Sequence, residues 1–263
     1  MLQSLFDCNS IHNRVRRLCA AASLTRYKLY DVSKRKEIMK TKIFLAINIV
    51  LASAIFVGDY LFLTVGGSNL KALCSSGFAI MGAANLIYAL ISRISNMRYA
   101  VSLSVGLVFA CLGDIIIDRN FVIGAALFAI GHICYFVSYC TLYRIRKADL
   151  IISGAIFVAA GIFVLFCPLL DFPNAVMQIV CLVYALIISL MVGKAISNFV
   201  KERTVLTATV LVGSILFFFS DLMLVFDWFM GIGRIAALLC MSTYYPAECI
   251  LAFSSWLNTK NSK

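Results

Sequence analysis

Charge is scarce in this sequence. Asp, Glu, Lys and Arg together make up 13% of its 263 residues, where a soluble domain carries roughly 25%. So little charge cannot cover a water-facing surface, which excludes an ordinary soluble fold. Proline occurs only at 168, 173 and 246, so long stretches are free to be helical. The only histidines are His12 and His132, which excludes a zinc site built from several His. The ten cysteines include no Cys-x-x-Cys pair and sit mostly in apolar stretches. They read as small packing residues rather than a metal or disulfide framework. No Gly-x-Ser-x-Gly elbow occurs, which argues against serine-esterase chemistry.

What the chain does have is apolar length. Its residues are 62% hydrophobic and its mean hydropathy is +0.97. Apolar segments fall at about 43–65, 71–91, 99–117, 121–142, 150–168, 174–196, 204–226 and 235–257. Each approaches the ~20 residues needed to cross a bilayer core. The predicted fold class is therefore all-α, a polytopic bundle of eight transmembrane helices. Asp171 between Pro168 and Pro173 marks one turn, and Gly231-Ile232-Gly233-Arg234 another. The connections are short, so sequence neighbours run antiparallel.

The net charge of +11 might suggest a nucleic-acid partner, but its placement argues against one. With the N-terminus inside, only Lys71, Arg119 and Arg234 of the 23 basic residues fall on the outer side. That bias is the signature of cytoplasmic retention of Lys and Arg. It predicts an integral, multi-pass protein of a plasma or inner membrane with both termini cytoplasmic. Residues 1–42 form a separate, basic region, and 258–263 a short cytoplasmic tail. Two readings of 1–42 stand. It is an arm that touches anionic lipid, or translation starts at Met39, where Met-Lys-Thr-Lys leads directly into an apolar helix. The first apolar run is too long for a signal peptide and lacks a clear cleavage site.

A carboxylate within an apolar helix is costly and must face the bundle interior or a wet cavity. The candidates are Asp59, Asp114, Asp118, Asp221, Asp227 and Glu248. Asp114 and Asp221 each follow a small residue and precede an apolar run ending in a second Asp. They lie four helices apart, as a parallel four-helix repeat would place them. By helix direction Asp59, Asp114 and Asp221 fall in outer portions of their helices, with Lys71 at the same side. His132 and Glu248 lie deeper. Tyr135 and Tyr139 share a face with His132, and Tyr244 and Tyr245 sit too deep to be interfacial anchors. These residues are expected to converge on one cavity that opens away from the cytoplasm.

At these positions the sequence resembles the YhhN-like lysoplasmalogenase family. The resemblance rests on Leu112-Gly113-Asp114, Phe121, Gly124, Phe128, Gly131-His132 and Tyr135. Lys71, Tyr184-Ala185-Leu186 with Met191, Ser220-Asp221 and Thr243-Tyr244-Tyr245 follow in order, over about 43–257. Glu248 stands where many members have Gln, and no Pro follows Lys71. The resemblance implies a membrane hydrolase that opens the vinyl ether of a lysoplasmalogen. The products are a fatty aldehyde and glycerophosphoethanolamine or glycerophosphocholine. It implies a lysophospholipid substrate within membrane lipid, and no metal or organic cofactor.

Vinyl ethers open by protonation of the β carbon, so the chemistry asks for a proton donor and a carboxylate to steady the cation. Asp114 and Asp221 are the expected catalytic pair, with His132 beside them. Lys71, Asp59, Tyr135, Tyr245 and Glu248 are the expected substrate-binding residues, with Lys71 on the head-group phosphate. The competing class is a transporter or lipid scramblase. Its helices would be broken by Pro or Gly at matching places in both halves, and no Pro in the first half matches those of the second.

Overall fold

The computed structural model describes residues 8–92 and 96–261. Every element among them is an α-helix: α1 (Cys8–Val65), α2 (Ser68–Ser92), α3 (Met97–Ile117), α4 (Phe121–Leu142), α5 (Lys147–Phe166), α6 (Ala175–Lys201), α7 (Val205–Phe229) and α8 (Arg234–Asn261). Each holds a stretch long and apolar enough to span a membrane, which in α1 is Ile38–Val65. The chain is an all-helical, multi-pass membrane protein. It divides into a unit of residues 1–47 and one of residues 48–263. In the first, Arg35 pairs with Asp31 one turn away at 3.1 Å. The boundary expected at 42/43 falls inside α1. The second unit holds the rest of α1 and all of α2–α8.

Polar residues punctuate the apolar chain and set where its helices start. Asn96, Asn120, Asn174 and Thr204 precede α3, α4, α6 and α7, and each side chain accepts a bond from a backbone N–H of the first turn. These donors have no partner within the helix, and a cap residue satisfies them. Gly66 and Gly67 turn the chain from α1 into α2 with φ of 79° and 112°. Such angles carry little penalty only for glycine.

Within the bundle α3 packs on α4, and α7 on α8. Contacts of α2 with α3 and α8, and of α6 with α4 and α7, close a ring of six helices. Exchanging α2, α3 and α4 with α6, α7 and α8 carries these pairings onto one another, while the contact of α3 with α8 has no counterpart between α7 and α4. Residues 48–65 of α1 lie against α2, where Asn48 and Asn85 exchange amide hydrogen bonds of 3.1 and 2.7 Å. Helix α5 has close backbone contact with α6 alone.

One expectation needs correction. Apolar length places the end of the sixth span near 196. Instead α6 runs to Lys201, and Lys194 is fully buried. Its ammonium donates to Asp149 Oδ2 at 2.6 Å and to the Arg144 carbonyl at 3.1 Å. Arg146 donates to the Ser197 carbonyl and hydroxyl at 2.7 and 2.8 Å. A buried cation is tolerated because a carboxylate meets it, and together these bonds fasten the start of α5 to α6.

Candidate functional site

Two polar clusters occupy the interior, each built around an aspartate at the corresponding place in its half. In the first, Asp114 on α3 is buried. Its Oδ1 lies 3.3 Å from Lys71 Nζ. Its Oδ2 accepts from the Ser75 hydroxyl and, at 3.1 Å, from the Tyr245 hydroxyl. Lys71 also donates to Asp118 Oδ2 at 2.8 Å. The Lys71 side chain is 4% exposed and that of Asp118 is 55% exposed. Lys71 was expected to hold a head-group phosphate at the rim. Its charge is instead met from within the chain by two carboxylates. Asp59 on α1 is buried nearby, and its Oδ1 has no hydrogen-bond partner among the described residues.

In the second cluster Asp221 on α7 accepts at Oδ2 from the Tyr184 hydroxyl of α6, at 2.7 Å. His132 Nε2 on α4 stands 3.4 Å from the same oxygen. The other imidazole nitrogen, Nδ1, lies 2.6 Å from the Phe128 carbonyl. A carbonyl only accepts, so Nδ1 carries a proton. Nε2 makes no hydrogen bond among the described residues. The clusters are built alike: each aspartate is met by a side chain from the second helix of its own half and one from the fourth helix of the other.

The expectation of a single cavity holding all the acids does not describe this geometry. Aromatic rings stand between the clusters. His132 meets Phe217 at 4.5 Å between centroids, Phe217 meets Tyr244 at 5.4 Å, and Tyr244 meets Tyr245 at 5.0 Å. Edge-to-face and tilted packing of this kind is favourable for aromatic pairs, and it fills the space in which the two aspartates would otherwise meet. Asp114 and Asp221 therefore lie in two separate clusters. Between the halves, Tyr135 on α4 donates to Glu248 Oε2 on α8 at 2.7 Å. Glu248 is fully buried, and its Oε1 has no hydrogen-bond partner among the described residues.

The second cluster borders a cavity. It has a volume of about 390 Å³ and lies among α4, α5, α6, α7 and the end of α3. Its lining is apolar except at Asp221 and the Tyr184 hydroxyl. Asp221 reaches into it with a side chain 12% exposed. The arrangement can hold an apolar chain and present the Asp221 carboxyl group to one point along it.

All eight expected site residues are buried, and seven of them make a hydrogen bond or ion pair within one of these groups. Asp59 stands beside the first. Reasoning from the sequence missed Ser75 and the bond of Tyr184 to Asp221. A serine in an apolar helix carries no signal of its own, because its hydroxyl usually satisfies itself on the preceding turn. Ser75 does that as well, on the Lys71 carbonyl at 2.9 Å. Only the fold shows its second partner.

The YhhN family profile matches residues 74–255. No curated protein and no solved structure matches the chain. The matched residues run from α2 through α8 and contain every described partner of both aspartates except Lys71. The chain belongs to the YhhN family.

Proposed function

We propose that this protein hydrolyses the vinyl ether of lysoplasmalogens, releasing a fatty aldehyde and a glycerophospho-alcohol. Family membership supports the class of reaction. The observation that carries the reading is Asp221 at the polar wall of an otherwise apolar cavity, with His132 Nε2 3.4 Å from its carboxylate. A lysoplasmalogen is a single chain with its enol ether near the head group. With the chain in the cavity, the enol ether lies beside Asp221.

In this reading a proton carried by Asp221 passes to the β carbon of the vinyl ether. The C=C π pair forms the new C–H bond, and the cation left on the α carbon is shared with the ether oxygen. Asp221, ionised by the transfer, steadies that cation from the cavity wall. Water adds to the α carbon and returns a proton to Asp221. The hemiacetal then collapses to aldehyde and alcohol. Tyr184 holds Asp221 in position throughout. Asp114 lines no part of the cavity, and in this reading it organises Lys71, Ser75 and Tyr245 in the opposite half.

The test is aldehyde release by purified protein in detergent, with the saturated alkyl-ether analogue as control. Asp221→Asn and His132→Gln are expected to lose on the order of 100-fold or more in turnover, the usual worth of a positioned acid or base. Near-normal turnover in either variant removes that residue from the mechanism. Aldehyde-free product, or equal cleavage of the saturated ether, overturns the reaction itself.

A further inference from the structure

The cavity beside Asp221 is sealed toward the end of the bundle and loosely walled toward the side. At the end, Phe229 meets Phe121 at 5.3 Å and Phe172 at 4.6 Å, and Phe121 meets Trp228 at 5.0 Å. The connection between α5 and α6 is tied down there too, with the Asp171 N–H donating to the Phe229 carbonyl at 2.8 Å. An amphiphile arriving along the bundle axis from water meets this aromatic plug.

The side wall is α5. It is fastened at its start by the Asp149–Lys194 pair and by contact so close that a Cβ on Gly193 would strike Ser153. Farther along, that closeness is lost. Gly161 is buried, yet a Cβ added there would meet nothing within 4 Å. The half of α5 from Ile156 to Val164 lines the cavity, and α5 has no close backbone contact with α4 or α7. A ring contact, Phe163 with Phe226 at 5.7 Å, spans the gap to α7.

We infer that the gap between α5 and α7, closed by Phe163 and Phe226, is a lateral portal through which the single hydrocarbon chain of a lysophospholipid enters the cavity from the bilayer. The occupant follows from the lining: apolar along its length, with Asp221 and Tyr184 as the polar groups. One chain fits this description better than a free solute, which would find too few partners, or a two-chain lipid, whose second chain has no wall. The outer face of α5, with Val158, Ile162 and Phe166 exposed, is apolar enough to lie in lipid. The inference rests on the hydrolase reading and deepens it by stating how the substrate arrives. The site itself needs no turnover to be occupied.

The experiment uses the full chain in phospholipid nanodiscs. The probe is a saturated alkyl-ether lysophospholipid with a diazirine midway along its chain. It has no vinyl ether, so labelling reports occupancy alone. Label is expected in peptides covering 156–164 and 222–226, and an excess of the same lipid without diazirine should remove it. Ala160→Phe, which fills the cavity wall, should lower that labelling about tenfold, while Ile151→Phe on the exposed face of α5 should not. Label confined to other helices in the wild-type chain overturns the portal, as does unchanged labelling in a well-folded Ala160→Phe protein. Intact labelling without aldehyde release in the parallel assay rejects the hydrolase reading and leaves the portal standing. Aldehyde release without labelling at these helices does the reverse.

Discussion

Each buried polar group answers to a particular neighbour, and the neighbours separate roles that the residue types share. Asp114 and Asp221 are the same residue at equivalent places, yet one faces an ammonium and the other an imidazole and a cavity. Tyr184→Phe keeps the ring against His132 and removes only the bond to Asp221. A hydrogen bond to a charged group is worth about 1.5–3 kcal/mol, so turnover should fall roughly tenfold or more, with KM little changed if the chain still binds. A rise in KM with unchanged kcat would place Tyr184 in binding instead. Lys71→Met tests the other half. It leaves Asp114 with hydroxyl partners alone, and breaking a buried pair from one side costs about 3–5 kcal/mol. The thermal midpoint in detergent should drop well below the wild type, and adding Asp114→Asn should recover part of the loss. That these acids are buried was legible in the sequence, because a carboxylate in an apolar helix has no other inexpensive place. Which groups meet them was not. Ser75 and Lys71 reach Asp114 from α2 and Tyr245 from α8, and no local pattern encodes such a meeting.

Helix number was the most legible feature at the next scale, since apolar length is what a bilayer demands. Helix ends were less so, because charged residues continue a helix whenever a partner satisfies them. Lys194 is the clearest case: as a lone lysine it reads as the start of a loop, and the fold shows it buried against Asp149. The consequence is specific to α5, whose close backbone contacts are with α6. Lys194→Ala should destabilise the protein by about 3–5 kcal/mol, and restoring charge balance with Asp149→Asn should return part of it. Hydrogen exchange should localise the opening to 147–166 rather than to α3 or α7. Uniform loss of protection across all helices would mean that the pair supports the whole bundle and does not specifically fasten α5.

For the molecule as a whole, the charge distribution sets a direction across the membrane. Arg98, Arg144, Lys147, Lys201 and Arg203 are exposed at the end where α3, α5 and α7 begin and α6 ends. At the other end the basic residues near the helix termini are Lys71, Arg119 and Arg234, and Lys71 is already neutralised within the chain. Lys and Arg are retained on the cytoplasmic side, so the Asp221 cavity and its aromatic plug should lie in the outer half of the bilayer. A fluorescent reporter fused after Lys263 should be bright, and an alkaline phosphatase fused there should be silent. The same phosphatase placed after Gly231, in the turn between α7 and α8, should be active. The opposite pattern would reverse the orientation and make the inner leaflet the source of the chain that reaches Asp221. The two leaflets can also be told apart by adding the diazirine lipid to only one face of sealed vesicles. Label should then appear on α5 and α7 first when the lipid is supplied from the face that carries the phosphatase activity.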